Sequence, residues 1–213
     1  MRIFGLILFC FFFNWHLYTQ QYTIFHNFIE TSYYNNPSIS SPLKKESFTV
    51  YRNHWTGFSG APKTFLFASQ IPIFLNTITK TYSSVGGYLQ SNLIGAFKSN
   101  TLNFSYSYSF LVSDRLRCSL GSFLGFQQVS LDITDFNAHH SNDPIIDASN
   151  IAILYPDFSF GILFHNNINF FGISYKNIFK SNWRNLILSE NSQNESSLII
   201  IAGKKMKFSN FLF

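Results

Sequence analysis

The stretch from Thr101 to Phe110 reads TLNFSYSYSF and alternates strictly between polar and apolar residues. A period of two is that of a β-strand, whose successive side chains point to opposite faces. One face carries large apolar and aromatic side chains, and the other carries Ser, Thr and Asn. A soluble β-sandwich usually has charged residues outside, whereas Ser and Asn suit a polar lumen and aromatic residues suit lipid. The stretch therefore predicts a strand of a membrane-spanning β-barrel.

Seven further segments show strand patterns, and several are joined by short polar turns. Ser113-Asp114-Arg115 follows the first stretch and predicts a hairpin. Helical periodicity is weak throughout, so the predicted fold is an all-β antiparallel barrel. About eight strands are present, which is the number in the smallest closed outer-membrane barrels. The further predicted strands are Ser47–Phe58, Lys63–Pro72, Tyr82–Leu93, Arg117–Ile133, Phe158–His165, Ile168–Lys176 and Ser197–Lys207.

The composition also indicates a membrane protein that is exported. Aromatic residues make up 19% of the chain and charged residues only 12%, against about 25% charged in a typical soluble domain. Arg2 followed by the apolar run from Ile3 to Phe13 predicts a signal peptide over residues 1–20. Residues 21–213 then form one barrel domain, because they hold no apolar run long enough for a spanning helix. The net charge of +5 is scattered, so we expect no nucleic-acid partner.

Two long polar stretches, Thr134–Asp157 and Asn182–Ser196, are predicted to be surface loops. The first contains the one cluster with metal-ligand chemistry, in which His139 and His140 lie near three Asp residues. Adjacent histidines in a loop rarely converge on one ion, so we expect a solvated loop and no metal. The sequence has no nucleophile elbow, phosphate-binding loop or dinucleotide fingerprint. We therefore expect no catalytic residues and no cofactor, and the protein is predicted not to be an enzyme.

The segment from Tyr51 to Thr64 reads YRNHWTGFSGAPKT. It resembles the aromatic-Arg-x-x-Trp-x-Gly-Phe-x-Gly-Ala-Pro-x-Thr signature of the PorP/SprF family, which belongs to the type IX secretion machinery. Upstream, Tyr34-Asn35-Asn36-Pro37 is similar to the Tyr-Asn-Pro-Ala segment of that family. We take as candidate site residues the signature positions Tyr51, Arg52, Trp55, Gly57, Phe58, Gly60, Ala61, Pro62, Lys63 and Thr64.

The resemblance implies an outer-membrane component of the type IX secretion and gliding machinery. Its implied partners are outer-membrane lipid, other secretion components, and secreted surface proteins such as adhesins, whose export or surface retention it assists. Members of the family are longer and have further strands after the point that this sequence reaches, so the expected barrel is either a smaller one that closes or an incomplete one. The residues alone leave two other functions open: a small passive porin or structural barrel, and a secreted β-sandwich that binds a ligand.

The signature also has a direct physical interpretation. Arg52 is expected to face the lumen, because a cation on the lipid face near mid-bilayer costs about 2–4 kcal/mol. Tyr51 and Trp55 are expected to share the opposite face of the strand, with Trp55 at the membrane interface. Gly57, Gly60 and Pro62 then form the turn that follows. The alternative is that the whole motif shapes a turn and binds nothing.

Overall fold

The computed structural model describes residues 25, 27, 28, 30–39, 45–131, 151–179, 196–204, 207, 208, 211 and 212. The predicted signal peptide over residues 1–20 lies outside the described residues. So do His139, His140 and most of the two predicted long loops. Among the helices of the described part, none is long and apolar enough to cross a membrane.

Eight antiparallel strands form a single sheet in the described residues, and each strand pairs with its neighbours in sequence. The predicted all-β class and strand count are therefore confirmed. The sheet curls into a half-barrel whose edges are the first and eighth strands, which fits an incomplete barrel. The strands are β1 (Glu46–Asn53), β2 (Lys63–Asn76), β3 (Thr81–Ile94), β4 (Phe97–Ser113), β5 (Leu116–Leu131), β6 (Ile151–His165), β7 (Asn169–Lys176) and β8 (Ser197–Lys204).

Three short elements complete the described structure. One α-helix, α1 (Ser32–Asn35), precedes the sheet. Two short strands, β9 (Lys207–Phe208) and β10 (Phe211–Leu212), pair with each other in a separate two-stranded sheet.

On β4 the outward face of the large sheet is apolar and the inner face is polar. On β4, Phe104 and Tyr106 are 65% and 50% exposed, whereas Asn103 and Ser109 are fully buried. This is the reverse of a soluble protein, and it is the arrangement of a sheet whose outward face meets hydrocarbon. The alternation predicted for this strand is confirmed. A β-sandwich would bury such aromatic side chains against a second sheet, so the structure does not favour that alternative.

One compact cluster of buried apolar side chains lies on the inner side of the curled sheet. Tyr34 packs edge-on against Tyr88 at a centroid distance of 5.0 Å, and Tyr88 packs in the same way against Phe123 at 5.0 Å. Such edge-to-face contacts are the favoured geometry for aromatic pairs. The cluster comprises Phe25, Tyr33, Tyr34, Leu66, Ala68, Tyr88 and Phe123.

Several strand boundaries differ from the prediction, and two of these differences affect the predicted loop and the signature segment. β6 begins at Ile151, so the predicted loop Thr134–Asp157 is wrong over its last seven residues. In the described part, residues 151–157 pair with β5 and not with β7. Proline lacks a backbone N–H donor, so the unpaired edge of this part of β6 can accommodate Pro156. β1 ends at Asn53 and not at Phe58, because Trp55 and Gly57 have φ angles of 52° and 103° that are incompatible with an extended strand.

The connections at the two ends of the sheet differ in length. Outer-membrane barrels have short periplasmic turns and longer extracellular loops, and the contrast here has the same form. We call the two ends the short-turn end and the long-loop end. Residues 77–80, 114–115 and 166–168 connect strands at the short-turn end, and residues 54–62, 95–96, 132–150 and 177–196 connect them at the long-loop end.

Candidate functional sites: the occupied inner face and the signature loop

Residues 32–38, here called the inner segment, lie against the inner face of the sheet. Tyr33 and Tyr34 of α1 are both buried. The Tyr33 hydroxyl shares a hydrogen bond with Ser105 Oγ on β4, and the Tyr34 hydroxyl donates to Gln90 Oε1 on β3 at 2.8 Å. The inner segment is therefore held by side chains of the strands that curl around it.

Asn36 connects the inner segment to two further strands. Its Nδ2 donates to the carbonyl oxygens of Ile162 on β6 and Ile173 on β7, at 3.3 Å and 3.4 Å. Its Oδ1 accepts hydrogen bonds from the backbone N and the Oγ of Ser38, at 3.0 Å and 2.6 Å. On β7, Ser174 Oγ donates to the Asn35 carbonyl oxygen at 2.7 Å. The side-chain amide of Asn36 thus uses both its donor and its acceptor capacity.

Glycines on the inner face allow the inner segment to approach the sheet closely. A Cβ at Gly121 on β5 would overlap the backbone carbonyl of Pro37, and a Cβ at Gly161 on β6 would overlap the Asn36 side chain. The two glycines are register partners on adjacent strands. Together they leave a patch of the sheet without side chains. Glycine is often found where one backbone approaches another closely.

Lys176 on β7 is 1% exposed and reaches under the inner segment. Its Nζ donates to the Tyr34 carbonyl oxygen at 2.9 Å and lies 3.9 Å from the centroid of the Tyr34 ring. The rings of Tyr88 and Phe123 are 5.3 Å and 5.9 Å from the same atom. A buried ammonium requires hydrogen bonds and compensating charge or aromatic faces. Lys176 therefore fixes the position of the helix end that carries Tyr34.

A buried carboxylate on β6 provides charge of the opposite sign. Asp157 is buried on the inner face and interacts electrostatically with Lys176. Asn103 Nδ2 donates to Asp157 Oδ2 at 2.6 Å and to the Tyr88 hydroxyl at 2.7 Å. Asp157 Oδ1 is buried and has no hydrogen-bond partner among the described residues. The inner face thus carries one buried cation and one buried carboxylate around the inner segment.

Burial also affects the titration of the inner segment. Desolvation raises the pKa of the Tyr33 phenol to about 12, and the hydrogen bond with Ser105 acts in the opposite direction. Tyr33 therefore remains neutral across the physiological range.

The described residues contain no group of three or more His, Cys, Asp or Glu side chains placed to hold a metal ion.

The signature residues lie at the long-loop end. Arg52 of β1 alternates with the exposed Tyr51 and so lies on the inner face, paired in register with Thr64 of β2. This is the orientation expected from the sequence. Trp55, in contrast, lies after the end of β1, so the prediction that it shares a strand face with Tyr51 is wrong.

Residues 54–62, here called the signature loop, form a tight connection with two exposed aromatic side chains. Trp55 and Phe58 are 72% and 76% exposed, while Ala61 is buried. The Phe58 backbone N donates to the Trp55 carbonyl oxygen at 3.2 Å. Gly57 and Gly60 have positive φ angles of 103° and 74°, which glycine adopts at little cost. The remaining signature positions are Pro62 at the end of the loop and Lys63 and Thr64 at the start of β2.

The signature loop is also fixed to a neighbouring turn. Gly95 backbone N, between β3 and β4, donates to the Gly60 carbonyl oxygen at 3.0 Å. His54 backbone N donates to the Pro62 carbonyl oxygen at 3.0 Å and closes the base of the loop. These bonds hold the exposed aromatic side chains on a defined backbone.

Comparison with known families gives one match, which covers nearly the whole chain. The model of the type IX secretion system membrane protein PorP/SprF matches residues 17–213. The chain belongs to the PorP/SprF family. Membership makes this PorP/SprF protein a membrane component of the type IX secretion system, and it implies interaction with other components of that system. No curated protein and no solved structure matches the chain.

Sequence analysis identified the signature of this PorP/SprF protein but missed the contacts that organise its inner face. Lys176 and Asp157 were not singled out, because their partners lie on distant parts of the chain. One signal for an occupied inner face was available in the sequence, namely the inward-facing glycines Gly121, Gly161 and Gly172. A barrel lined only by water would not need positions without a side chain.

Proposed function

We propose that this PorP/SprF protein is a non-enzymatic outer-membrane component that assists the export or surface retention of secreted proteins such as gliding adhesins. The observation that carries the proposal is the pair of exposed aromatic side chains, Trp55 and Phe58, on the signature loop at the long-loop end. Long loops of outer-membrane barrels are usually extracellular, and a surface protein would be received there.

The geometry of the signature loop supports a binding role. Aromatic residues dominate the energetics of protein interfaces because they bury a large area at a low entropic cost. The backbone bonds within the loop and the bond between Gly60 and Gly95 hold Trp55 and Phe58 before a partner arrives. Such preorganisation reduces the entropy lost on binding.

The inner segment argues against the passive porin. It occupies the inner face with Tyr33 and Tyr34, and Lys176 anchors it from below. A passive porin needs an open aqueous lumen. The role of a structural barrel remains the second candidate, and it predicts that the exposed loop aromatics are dispensable for secretion.

The proposal is tested by replacing both loop aromatics with Ala in the producing cells. We expect the W55A/F58A variant to insert normally and to lower the amount of adhesin at the cell surface by about tenfold, measured by quantitative mass spectrometry of shaved surface proteins. Ile78→Ala is the matched control, because Ile78 is 90% exposed in a turn at the short-turn end. Unchanged surface adhesin in the W55A/F58A variant would reject the proposal and favour the structural barrel.

A further inference from the structure

We propose that Lys63 and Lys98, on the outward face at the long-loop end, bind the phosphate group of an anionic membrane lipid. This inference rests on the placement of the outward face in the membrane. It adds a ligand and a binding site that membership of the PorP/SprF family does not specify.

The outward face has an apolar band of the height of a bilayer core. On β4 the outward residues are apolar at every position from Leu102 to Phe110. Leu102 to Phe110 is nine residues, and a strand that crosses a membrane at a tilt of about 45° needs about 9–11 residues. The band extends across the sheet, because Phe67, Leu89, Leu102 and Phe126 are register partners on four successive strands.

Directly above the apolar band, towards the long-loop end, the outward positions on β3, β4 and β5 are polar and uncharged, whereas Phe65 in the same row on β2 is apolar. Ser91, Asn100 and Gln128 occupy this next outward row as register partners on β3, β4 and β5. Ser91 Oγ donates to Asn100 Oδ1 at 2.8 Å. These hydroxyl and amide side chains mark the upper edge of the apolar band on the three strands.

The following outward row brings two lysines to either side of one strand. Lys63 on β2 and Lys98 on β4 are both register partners of Leu93 on β3. Two strand spacings separate their backbones by about 10 Å. Long, flexible lysine side chains with three donors each can converge over Leu93 on one phosphate group.

The charges around this row favour an anion. The ammonium groups of Lys63 and Lys98 are exposed and make no hydrogen bond or ion pair within the described part of the chain. The carboxylates that the structure describes lie elsewhere: Glu46 and Asp114 are at the short-turn end, Asp157 is on the inner face, and Glu30 precedes α1. Two cations that have no counter-ion among the described residues, at the border of an apolar band, fit a lipid whose acyl chains lie along the band and whose phosphate meets the lysines.

The opposite end of the sheet provides a matched comparison. Lys80 and Arg115 are exposed cations in the turns between β2 and β3 and between β4 and β5. They lie in turns and are not register partners of a common residue on a strand. Replacing them removes the same charge without changing the lysine row.

The experiment uses the full chain refolded in a neutral maltoside detergent and titrated with short-chain phosphatidylglycerol, with bound lipid counted by native mass spectrometry. Each lysine near a membrane surface raises the affinity for anionic lipid by about fivefold. We therefore expect about 30-fold weaker binding for K63Q/K98Q and about fivefold weaker binding for each single variant. K80Q/R115Q and the charge-preserving K63R/K98R are expected to bind as the wild type does.

Three results would overturn the proposal. The first is equal binding of phosphatidylglycerol by the wild type, K63Q/K98Q and both single variants. The second is an equal loss of binding in K80Q/R115Q, which would indicate a general effect of net charge. The third is equal binding of phosphatidylcholine, or full competition by inorganic phosphate at the lipid concentration, since either would remove the requirement for an anionic lipid.

Discussion

Lys176 Nζ donates a hydrogen bond to the carbonyl oxygen of Tyr34 at 2.9 Å, across 142 positions of sequence. The same ammonium lies over the Tyr34 ring at 3.9 Å. One residue of the seventh strand therefore holds the backbone and the side chain of a residue that precedes the first strand. The inner segment is thus an integral part of the folded sheet, and four predictions follow from its contacts.

Lys176→Met is expected to lower the free energy of unfolding by about 3 kcal/mol. The substitution keeps an extended side chain but removes the hydrogen bond to Tyr34 and the charge that attracts the buried Asp157 carboxylate, and leaving a buried polar group without its partner costs about 1–3 kcal/mol, or more for a charged group. Urea unfolding in lipid vesicles, followed by far-ultraviolet circular dichroism, measures the change. Lys204→Met at the exposed end of β8 is the control, and equal stabilities of the two variants would contradict the prediction.

Asn36→Asp is expected to loosen the inner segment while preserving the shape of the side chain. The new oxygen cannot donate to the Ile162 and Ile173 carbonyls, and its charge is repelled by them. Hydrogen exchange of the backbone amides in residues 31–38 should accelerate at least tenfold, as measured by mass spectrometry. Asn53→Asp at the exposed end of β1 is the control. If both variants exchange at the wild-type rate, the Asn36 amide does not hold the segment.

Gly121→Ala is expected to destabilise the protein by about 1–3 kcal/mol through overpacking. The added methyl group would overlap the Pro37 backbone, which cannot rotate away as a flexible side chain does. Ser122→Val adds volume on the outward face of the same strand and is expected to have little effect. Urea unfolding in vesicles gives both values, and a Gly121→Ala protein as stable as the wild type would show that the inner segment is not packed there.

The stability of the protein is expected to fall between about pH 10 and pH 12 through Tyr33. Its folded-state pKa is raised from 10.0 to about 12, so the unfolded chain releases the phenolic proton first. The stabilisation is complete below pH 10 and is lost as the pH rises through 12, at up to about 1.4 kcal/mol per pH unit. Unfolding free energies measured at pH 9, 10, 11 and 12 should show a shallower slope for Tyr33→Phe than for the wild type. Identical slopes would exclude a contribution from Tyr33.

The strands of the sheet were predictable from sequence wherever polar and apolar residues alternate sharply. Thr101–Phe110 lies within β4, and its two faces have the predicted exposure. In β6 the alternation is obscured by Tyr155, Pro156 and Asp157, three residues that a sequence pattern assigns to a loop. Asp157 is polar because it faces the occupied inner side, so the residue that misled the strand prediction is one that organises the site.

The position of the inner segment was not predictable from local pattern. Tyr34-Asn35-Asn36-Pro37 was noted for its resemblance to a family segment, but its partners are Gln90, Ile162, Ile173 and Lys176. Periodicity reports which face a strand residue occupies and contains no information about which distant segment covers that face. Only the strand order and register bring these residues together.

The contacts of Asn36, Asn35 and Tyr34 with β6 and β7 span 126 to 142 positions of the chain. Contacts between such distant positions form late, because the intervening loop must close before they contribute. The contacts of the inner segment with β6 and β7 can therefore form only after the intervening strands have assembled. Assembly of this protein is consequently expected to be slow, and a chain interrupted before β7 would lack the hydrogen bond from Lys176 to the Tyr34 carbonyl oxygen.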